Sequence, residues 1–490
     1  MQRGNLSRRG FLTRSVGALT AAGLPLWYAK ENVAFAQEAT SRARAVGAND
    51  RIHMGAIGTG TNRTRRQPND RGLQGERGYH IMHHAMGQNG VQMIAVADCD
   101  LPNALFAAQS VRRASVGGSR DCQIYEDYRR LLENRNIDAV TIGTPDHWHA
   151  TVAIAAMRAG KDVYCEKPLT LTIDEGKALV RVARETGKIL QTGTQQRTEM
   201  EGKFRLACEL VRNGRIGHVR QITTLIGANP TGGPFPAQPV PDGLNWDFWL
   251  GPTPVAPYST NRCHYEFRWW YQYSGGKMTD WGAHHNDIAQ WALNMDESGP
   301  VSVEGHGTAP STDPNSYNCH PSFEVTYTYA NGSNGTPGTR LVCRDGPPQN
   351  FVARDARSGG PQNNGVLFEG DDNKWIFVSR GTVIASDRRL IDEPLPQNST
   401  RLPRAPNHPA NLNHMANFIE CVRSRRPPIS NVSVGHRSVT VCHLGNIAIR
   451  FFPNQRLTWD PREERFTGEH AEEANRHLSR PYREGYALGA

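Results

Sequence analysis

Apolar positions along this chain follow two rhythms. Between residues 50 and 195 short apolar runs alternate with longer amphipathic stretches. Ile52–Ile57, Val91–Ala97, Ala139–Thr144, Asp162–Cys165 and Ile189–Gly193 read as strands. Tyr79–Gln88, the Ala-rich His149–Ala159, and Ile173–Thr186, with Lys and Arg on its outer face, read as helices between them. Strands alternating with helices of this length predict a doubly wound parallel sheet, a Rossmann-type α/β domain with ligands at the carboxyl ends of its strands. Beyond residue 196 the rhythm changes. Val219–Ile226, Val301–Thr308, Phe323–Tyr329, Thr339–Arg344, Val366–Glu369 and Trp375–Val378 are short strand-like runs, and residues 330–335 form a turn region. Asn413–Val422 and His436–Ile449 read as helices returning to the first domain.

A chain of 490 residues implies two domains. The formal charge is +9, and residues 1–36 carry a net +4 of it. The remainder, with no basic run interleaved with aromatics, gives no nucleic-acid footprint. Ser7-Arg8-Arg9-Gly10-Phe11-Leu12, an apolar stretch from Val16 to Leu26, and Ala34-Phe35-Ala36 occur in the order of a twin-arginine signal peptide spanning residues 1–36. The expected location is periplasmic or otherwise extracytoplasmic, and no apolar run is long enough for a membrane span. That route carries folded proteins, so a cofactor inserted beforehand must be tightly held. Nine cysteines without a CxxC pair exclude a zinc ribbon or thioredoxin-like site, and an exported chain has room for one or two disulfides.

Gly58-Thr59-Gly60 follows the first strand, and Asp98 ends the second. Glycines let the backbone approach a pyrophosphate, a helix N-terminus supplies N–H donors, and the acid accepts hydrogen bonds from ribose hydroxyls. The spacing departs from the usual fingerprint: Arg63 stands at the third glycine position, and Asp98 comes 38 residues after Gly60. An insertion over residues 62–76 accounts for both, with Gly75 or Gly78 opening the helix and Asp98 lying 20 residues past Gly78. Asp98 favours NAD over NADP, unless Arg63, Arg65 and Arg66 fold back to receive a 2′-phosphate.

Glu166-Lys167-Pro168 at a strand end resembles the EKP motif of the Gfo/Idh/MocA oxidoreductases. Thr144-Pro145-Asp146-His147-Trp148-His149 is similar to that family's TPxxxH segment, and Gly275-Gly276 with Asp280-Trp281-Gly282-Ala283-His284 to its GG…DxGxH segment. Asn245–Pro252 and the stretch from Leu457 to Leu488 resemble an often exported bacterial branch. The resemblance runs from about residue 50 to the end. It implies a dinucleotide-binding domain over 50–195, then an α+β substrate and oligomerisation domain over 196–450 with a large, mostly antiparallel open sheet. A tail over 451–490 packs on both, and the sheet supports a homo-oligomer, a dimer or tetramer.

Dehydrogenating an alcohol needs a base for the hydroxyl proton and an acceptor for hydride. The resemblance assigns Lys167, Asp280 and His284 as catalytic: His284 as base, Lys167 as a positive charge beside the reacting oxygen, and Asp280 orienting the hydroxyl or the imidazole. Gly58, Gly60, Gly78, Asp98, Thr144, Pro145, His149, Glu166 and Lys167 are expected to hold NAD, with NADP as the alternative. His147, Trp148 and His149 would shape the nicotinamide pocket. Trp270 and Tyr271, in the aromatic run before the catalytic segment, are expected to offer a stacking platform to a sugar ring, with His285 beside them; packing beneath the sheet is the other reading. Gln195, Gln196 and Arg197 are further candidates to face substrate. A metal on His284, His285 and Asp287 lacks a supporting carboxylate cluster, so none is expected. The substrate expected is a sugar or polyol. Redox-neutral glycoside hydrolysis through transient oxidation, and non-catalytic sugar binding, are the competing functions.

Overall fold

The computed structural model describes residues 8–42, 50–60, 76–330, 338–348, 351, 363–406, 408 and 412–488. Arg63, Arg65, Arg66, Gly75 and most of the proposed insertion and of the turn after Ala330 lie outside them.

Six strands form the first sheet: β1 (Ile52–Ile57), β2 (Val91–Ala97), β3 (Gly118–Tyr125), β4 (Ala139–Ile142), β5 (Asp162–Cys165) and β6 (Leu190–Thr192). Their order is β3-β2-β1-β4-β5-β6, all parallel. β1, β2 and β5 have the bounds expected from their apolar runs. β3 was not expected: in Gly-Ser-Arg-Asp-Cys-Gln-Ile-Tyr only Cys122 is buried, because β3 is an edge strand. Helices cover both faces. Ile81, Met82, Ala107, Val111 and Phe418 pack on one, and Val152, Met157, Leu179 and Val182 on the other. Helix Ile173–Thr186 starts with a capping box between Thr172 and Glu175 and ends at Gly187 in the left-handed conformation, so its sequence marks both ends. The strand order reverses between β1 and β4, which leaves a crevice at their carboxyl ends.

The second sheet has nine strands: β7 (Gln221–Leu225), β8 (Ser302–Gly307), β9 (Phe323–Thr328), β10 (Arg340–Arg344), β11 (Gly365–Glu369), β12 (Trp375–Val378), β13 (Val383–Ala385), β14 (Leu457–Asp460) and β15 (Arg465–Thr467). Only the β7–β10 pair is parallel. β9 shows the cause of its placement: Phe323, Val325 and Tyr327 are buried while Glu324, Thr326 and Thr328 between them are half-buried. The apolar face packs against helices Lys203–Arg212, Gly282–Ala292 and Val432–Phe451. The C-terminal stretch does more than pack on the domains, since β14 and β15 extend this sheet beside β8. Arg480 and Tyr482 then reach Glu175 in the first domain.

The N-terminal stretch forms helices Arg8–Ala21 and Leu26–Arg42. Leu24 and Tyr28 enter the same core as Phe204 and Leu206, and Tyr28 is fully buried. Its hydroxyl accepts from Arg205 Nε at 2.7 Å, while Arg404 pairs with Glu31 at 2.9 Å. All nine cysteines are free thiols, eight of them buried, so the room for one or two disulfides goes unused and these side chains serve as small apolar packing units.

Candidate active site

The crevice opens into a cavity of about 420 Å³ between the carboxyl ends of β1, β2, β4 and β5 and the segment before helix Gly282–Ala292. Gly58, Gly60, Gly78, Asp98, Thr144, Pro145, His149, Glu166, Lys167, Asp280 and His284 all line it.

The glycine end is built for close backbone approach. Gly58 has φ +72°, and a Cβ there would stand 2.5 Å from the Thr144 amide nitrogen. A Cβ on Gly78 would stand 1.8 Å from the Gly58 carbonyl oxygen. Gly78 lies in the first turn of helix Arg77–Met86, so it takes the role of the third fingerprint glycine, tight helix–strand packing. Gly58 and the helix start thus leave the backbone cradle that a pyrophosphate needs, and the residues present fit a dinucleotide. Asp98 also has a second task. Its Oδ2 accepts from the Thr59 and Gly60 amides at 2.8 and 3.0 Å, and its Oδ1 from the Asp100 amide at 3.0 Å. It therefore fixes the glycine loop. Burial raises its pKa, with those amides opposing.

At the other end Lys167 Nζ donates to Asp280 Oδ1 at 2.7 Å and to the Asp280 carbonyl at 2.8 Å. Each side chain is only 14% exposed. Burial would raise the Asp280 carboxyl, but Lys167 and then Arg268, whose Nε is 3.6 Å away, outweigh it and hold it well below the carboxylate range. Asp280 is therefore a fixed anion serving Lys167, not the imidazole. An ammonium has three N–H groups. Asp280 takes two and leaves one for a substrate oxygen.

His284 is buried, and its Nδ1 has no partner among the described residues. Burial first, then the Lys167 and Arg380 charges, push its pKa well below the usual histidine value. The imidazole is neutral at physiological pH and free to accept a proton. His149 braces the site, with Nδ1 2.7 Å from the Pro168 carbonyl and Nε2 2.8 Å from that of Thr144. His147 and Trp148 both bond the Trp249 carbonyl, and only Trp148 reaches the cavity wall.

Three expected substrate residues lie elsewhere. Trp270 is fully buried in an aromatic cluster beneath Arg262, whose guanidinium is 3.8 Å from the ring centroid. Tyr271 bonds His320 and stacks on Arg450 at 3.9 Å. His285 bonds Asn364 at 2.9 Å from within the core. These rings are packing groups. Gln196 and Arg197 are buried too, and Arg197 forms a double ion pair with Asp287, which removes Asp287 from any metal set. Of that trio only Gln195 lines the cavity.

Sequence reasoning missed Arg77, Glu199, Phe267, Trp281 and Arg380 on the wall, and of the run over residues 268–273 only Arg268 reaches it. Tyr265, Phe267 and Arg268 belong to the same aromatic run as Trp270, on its other side. Arg77 pairs with Glu166 at 2.8 Å. Burial raises Glu199 to about 7. Arg77 and Glu199 stand beside noted motifs and had a positional signal, whereas Arg380 had none.

The family model for the oxidoreductase family NAD-binding Rossmann fold matches residues 72–194. Its counterpart for the C-terminal alpha/beta domain matches residues 232–336 and 381–488. The chain is 25% identical over 354 residues to the scyllo-inositol 2-dehydrogenase (NAD(+)) of Bacillus subtilis (strain 168), covering 72% of this chain and 84% of that protein. It is 32% identical over 152 residues to a glycosyl hydrolase family 109 protein of Shewanella pealeana (strain ATCC 700345 / ANG-SQ1), covering 30% of this chain and 32% of that one. Apart from the Bacillus enzyme, the chain spans between 28% and 40% of the length of the curated relatives it matches. A crystal structure of aldose-aldose oxidoreductase from Caulobacter crescentus complexed with glycerol shares the fold, with a TM-score of 0.54 at 19% identity over 83% of this chain and 99% of that one. By its two matched domains and the site they enclose, this chain belongs to the Gfo/Idh/MocA oxidoreductase family.

Proposed function

We propose that the protein is an exported dehydrogenase that oxidises a secondary hydroxyl of a sugar or polyol with a tightly held NAD. The observation that carries this is the pairing of Lys167 with Asp280 beside a buried, neutral His284, in one cavity with the glycine cradle. When bound, the nicotinamide supplies the acceptor for hydride. Lys167 donates its remaining N–H to the substrate oxygen and stabilises the negative charge that grows there. His284 takes the hydroxyl proton. Asp280 holds Lys167 in place. The buried carboxylate Asp98 at the ribose end supports NAD over NADP, since a 2′-phosphate would meet a like charge.

The match to a glycosyl hydrolase family 109 protein supports a second reading, redox-neutral cleavage of a glycoside. The same Lys167, Asp280 and His284 would serve an oxidation, elimination, hydration and re-reduction cycle. Mass spectrometry of nucleotide released from purified protein, followed by sugar oxidation assayed at 340 nm, separates the two. Reduced cofactor accumulating with a free sugar supports the dehydrogenase; aglycone release without net reduction supports the hydrolase. A protein that neither carries nor binds NAD or NADP refutes both.

Ser7-Arg8-Arg9-Gly10-Phe11-Leu12 supports export by the twin-arginine route. Burial of Tyr28 bears on the processing site: cleavage after Ala36 would strip Leu24, Tyr28 and Glu31 from the partners they hold. N-terminal sequencing of the exported protein decides whether that segment is retained. The second sheet is the surface on which we place a homo-oligomer contact, and light scattering tests it.

A further inference from the structure

The charges around the cavity do not close. Arg77 is paired with Glu166, Lys167 with Asp280, and Arg268 reaches Asp280 as well. Arg380 has no carboxylate within ion-pair distance and no hydrogen bond among the described residues. Its guanidinium instead lies 4.6 Å from the centroid of the Trp281 ring, and Trp281 meets the His284 ring edge-on at 5.7 Å. Arg380, Trp281 and His284 are consecutive parts of one wall.

Arg380 is also held in position. It stands on the four-residue turn between β12 and β13. The Ser379 amide donates to the Thr382 carbonyl at 2.9 Å, and Ser379 Oγ accepts from the Gly381 and Thr382 amides at 3.2 Å each. The charged groups facing Arg380 are Arg77, Asp280, Glu199 and Glu166. Arg77 repels it, Asp280 is saturated by Lys167 and Arg268, Glu166 by Arg77, and burial raises Glu199 to about 7, so it offers a partial charge.

A guanidinium facing an open cavity is solvated and costs little. Once a substrate fills the cavity, water leaves and the charge needs a partner. The planar fork of N–H groups matches an oxyanion with two parallel acceptors. We propose that Arg380 binds an anionic group of the substrate, placing a carboxylate or phosphate of the sugar against the Arg380–Trp281 part of the wall. The substrate is then an acidic sugar rather than a neutral polyol. This rests on the dehydrogenase reading above.

The test uses the NAD-loaded protein and a matched panel: D-glucuronate, D-galacturonate and D-glucose 6-phosphate against D-glucose, D-galactose and myo-inositol. We expect kcat/KM for at least one anionic sugar to exceed that of its neutral counterpart by about tenfold or more, with uronate and phosphate arms identifying the anion. Arg380→Met keeps the stem over Trp281 and removes the charge. It should narrow that preference by about tenfold, mainly through KM. Arg380→Lys, which keeps the charge without the fork, should fall between. NAD affinity, measured by calorimetry on each variant, reports that the fold and cradle are intact. The proposal is overturned if neutral sugars are oxidised as well as anionic ones, if Arg380→Met lowers both series alike, or if it weakens NAD binding, which would give the charge to the cofactor's pyrophosphate. If NAD binds and no sugar of either series is oxidised, the dehydrogenase reading falls with it.

Discussion

Gly78→Ala tests the assignment on which cofactor binding depends. The added Cβ would stand 1.8 Å from the Gly58 carbonyl oxygen, 2.9 Å from its carbon and 3.2 Å from the Gly143 carbonyl oxygen. Side-chain Cβ atoms essentially never approach closer than 3.0 Å, so the first contact alone demands about 1.2 Å of movement. The obstacle is backbone at the end of β1, not a flexible tip. The start of helix Arg77–Met86 must therefore withdraw from the glycine loop. That helix start and the loop amides are the donors available to a pyrophosphate. Losing one hydrogen bond to a charged group costs about 1.5–3 kcal/mol, so the NAD dissociation constant should rise by about 10- to 100-fold. Overpacking should also destabilise the nucleotide-free protein by about 1–3 kcal/mol. Calorimetric titration with NAD, beside a thermal melt without nucleotide, measures both. Gly299→Ala, where a Cβ meets nothing within 4 Å, is the matched control and should change neither. NAD affinity within twofold of the parent would refute Gly78 as the third glycine of the cradle.

Lys167→Met should lower kcat by about 10²–10⁴-fold, with NAD affinity little changed, because it removes the charge beside the reacting oxygen. The pH dependence of kcat/KM follows from His284. Its folded-state pKa lies below the usual value, so it stays neutral as pH falls through 6.5, and the acid limb should appear well below pH 6.5; a limb at or above that value would contradict a buried base. The same direction applies to His147 and His443, lowered by burial to about 3, and to His285 and His414, lowered to about 4. Below pH 6.5 the unfolded chain binds protons that the folded chain refuses, so stability present above 6.5 is lost toward pH 4, which chemical denaturation at stepped pH would show. A chain beginning at Gln37 should be less stable than one beginning at Gly23 by about 2–4 kcal/mol, since losing Tyr28 leaves a cavity and takes hydrogen-bond partners from Arg205; equal melting temperatures would mean that the N-terminal helix is not part of the fold.

The first domain was legible because its strands are buried on both faces and its helices carry their own end signals. β1, β2 and β5 could be read to the residue from continuous apolar runs. β3 could not, because an edge strand with one buried side chain leaves no period to detect. β14 and β15 are four and three residues long; β14 pairs with β8 across a gap of about 150 residues in the chain, and β15 pairs with β14. Only the folded sheet reveals that partner. The N-terminal helix was read as a detachable label from its arginines and small residues. Tyr28 carries no sequence mark of the pocket it enters, since that pocket is made by Arg205, Gly202 and Arg404.

In the site, motif and geometry divide along a physical line. Lys167, Asp280 and His284 were readable because they stand in Glu166-Lys167-Pro168 and in residues 275–284, the segments that carry the family resemblance. The substrate wall was not, because it is assembled from elements distant in sequence. Trp270 looked like a sugar platform by residue type alone, yet it follows the short 3-10 helix His264–Trp269 and is buried beside Arg262, while Tyr265, Phe267 and Arg268 of that helix line the cavity. Arg380 follows His284 by 96 residues and joins the same wall from the β12–β13 turn, over the Trp281 ring. That placement has a chemical consequence. A second cation beside His284 keeps the imidazole neutral, and the same cation stands where an anionic substrate would cancel it. Binding such a substrate would offset the Arg380 charge and raise the pKa of His284 from its free-enzyme position, while burial and Lys167 still hold it below the usual histidine value. The acid limb of kcat, set by the loaded enzyme, should then lie at higher pH than that of kcat/KM, and the gap should shrink in Arg380→Met.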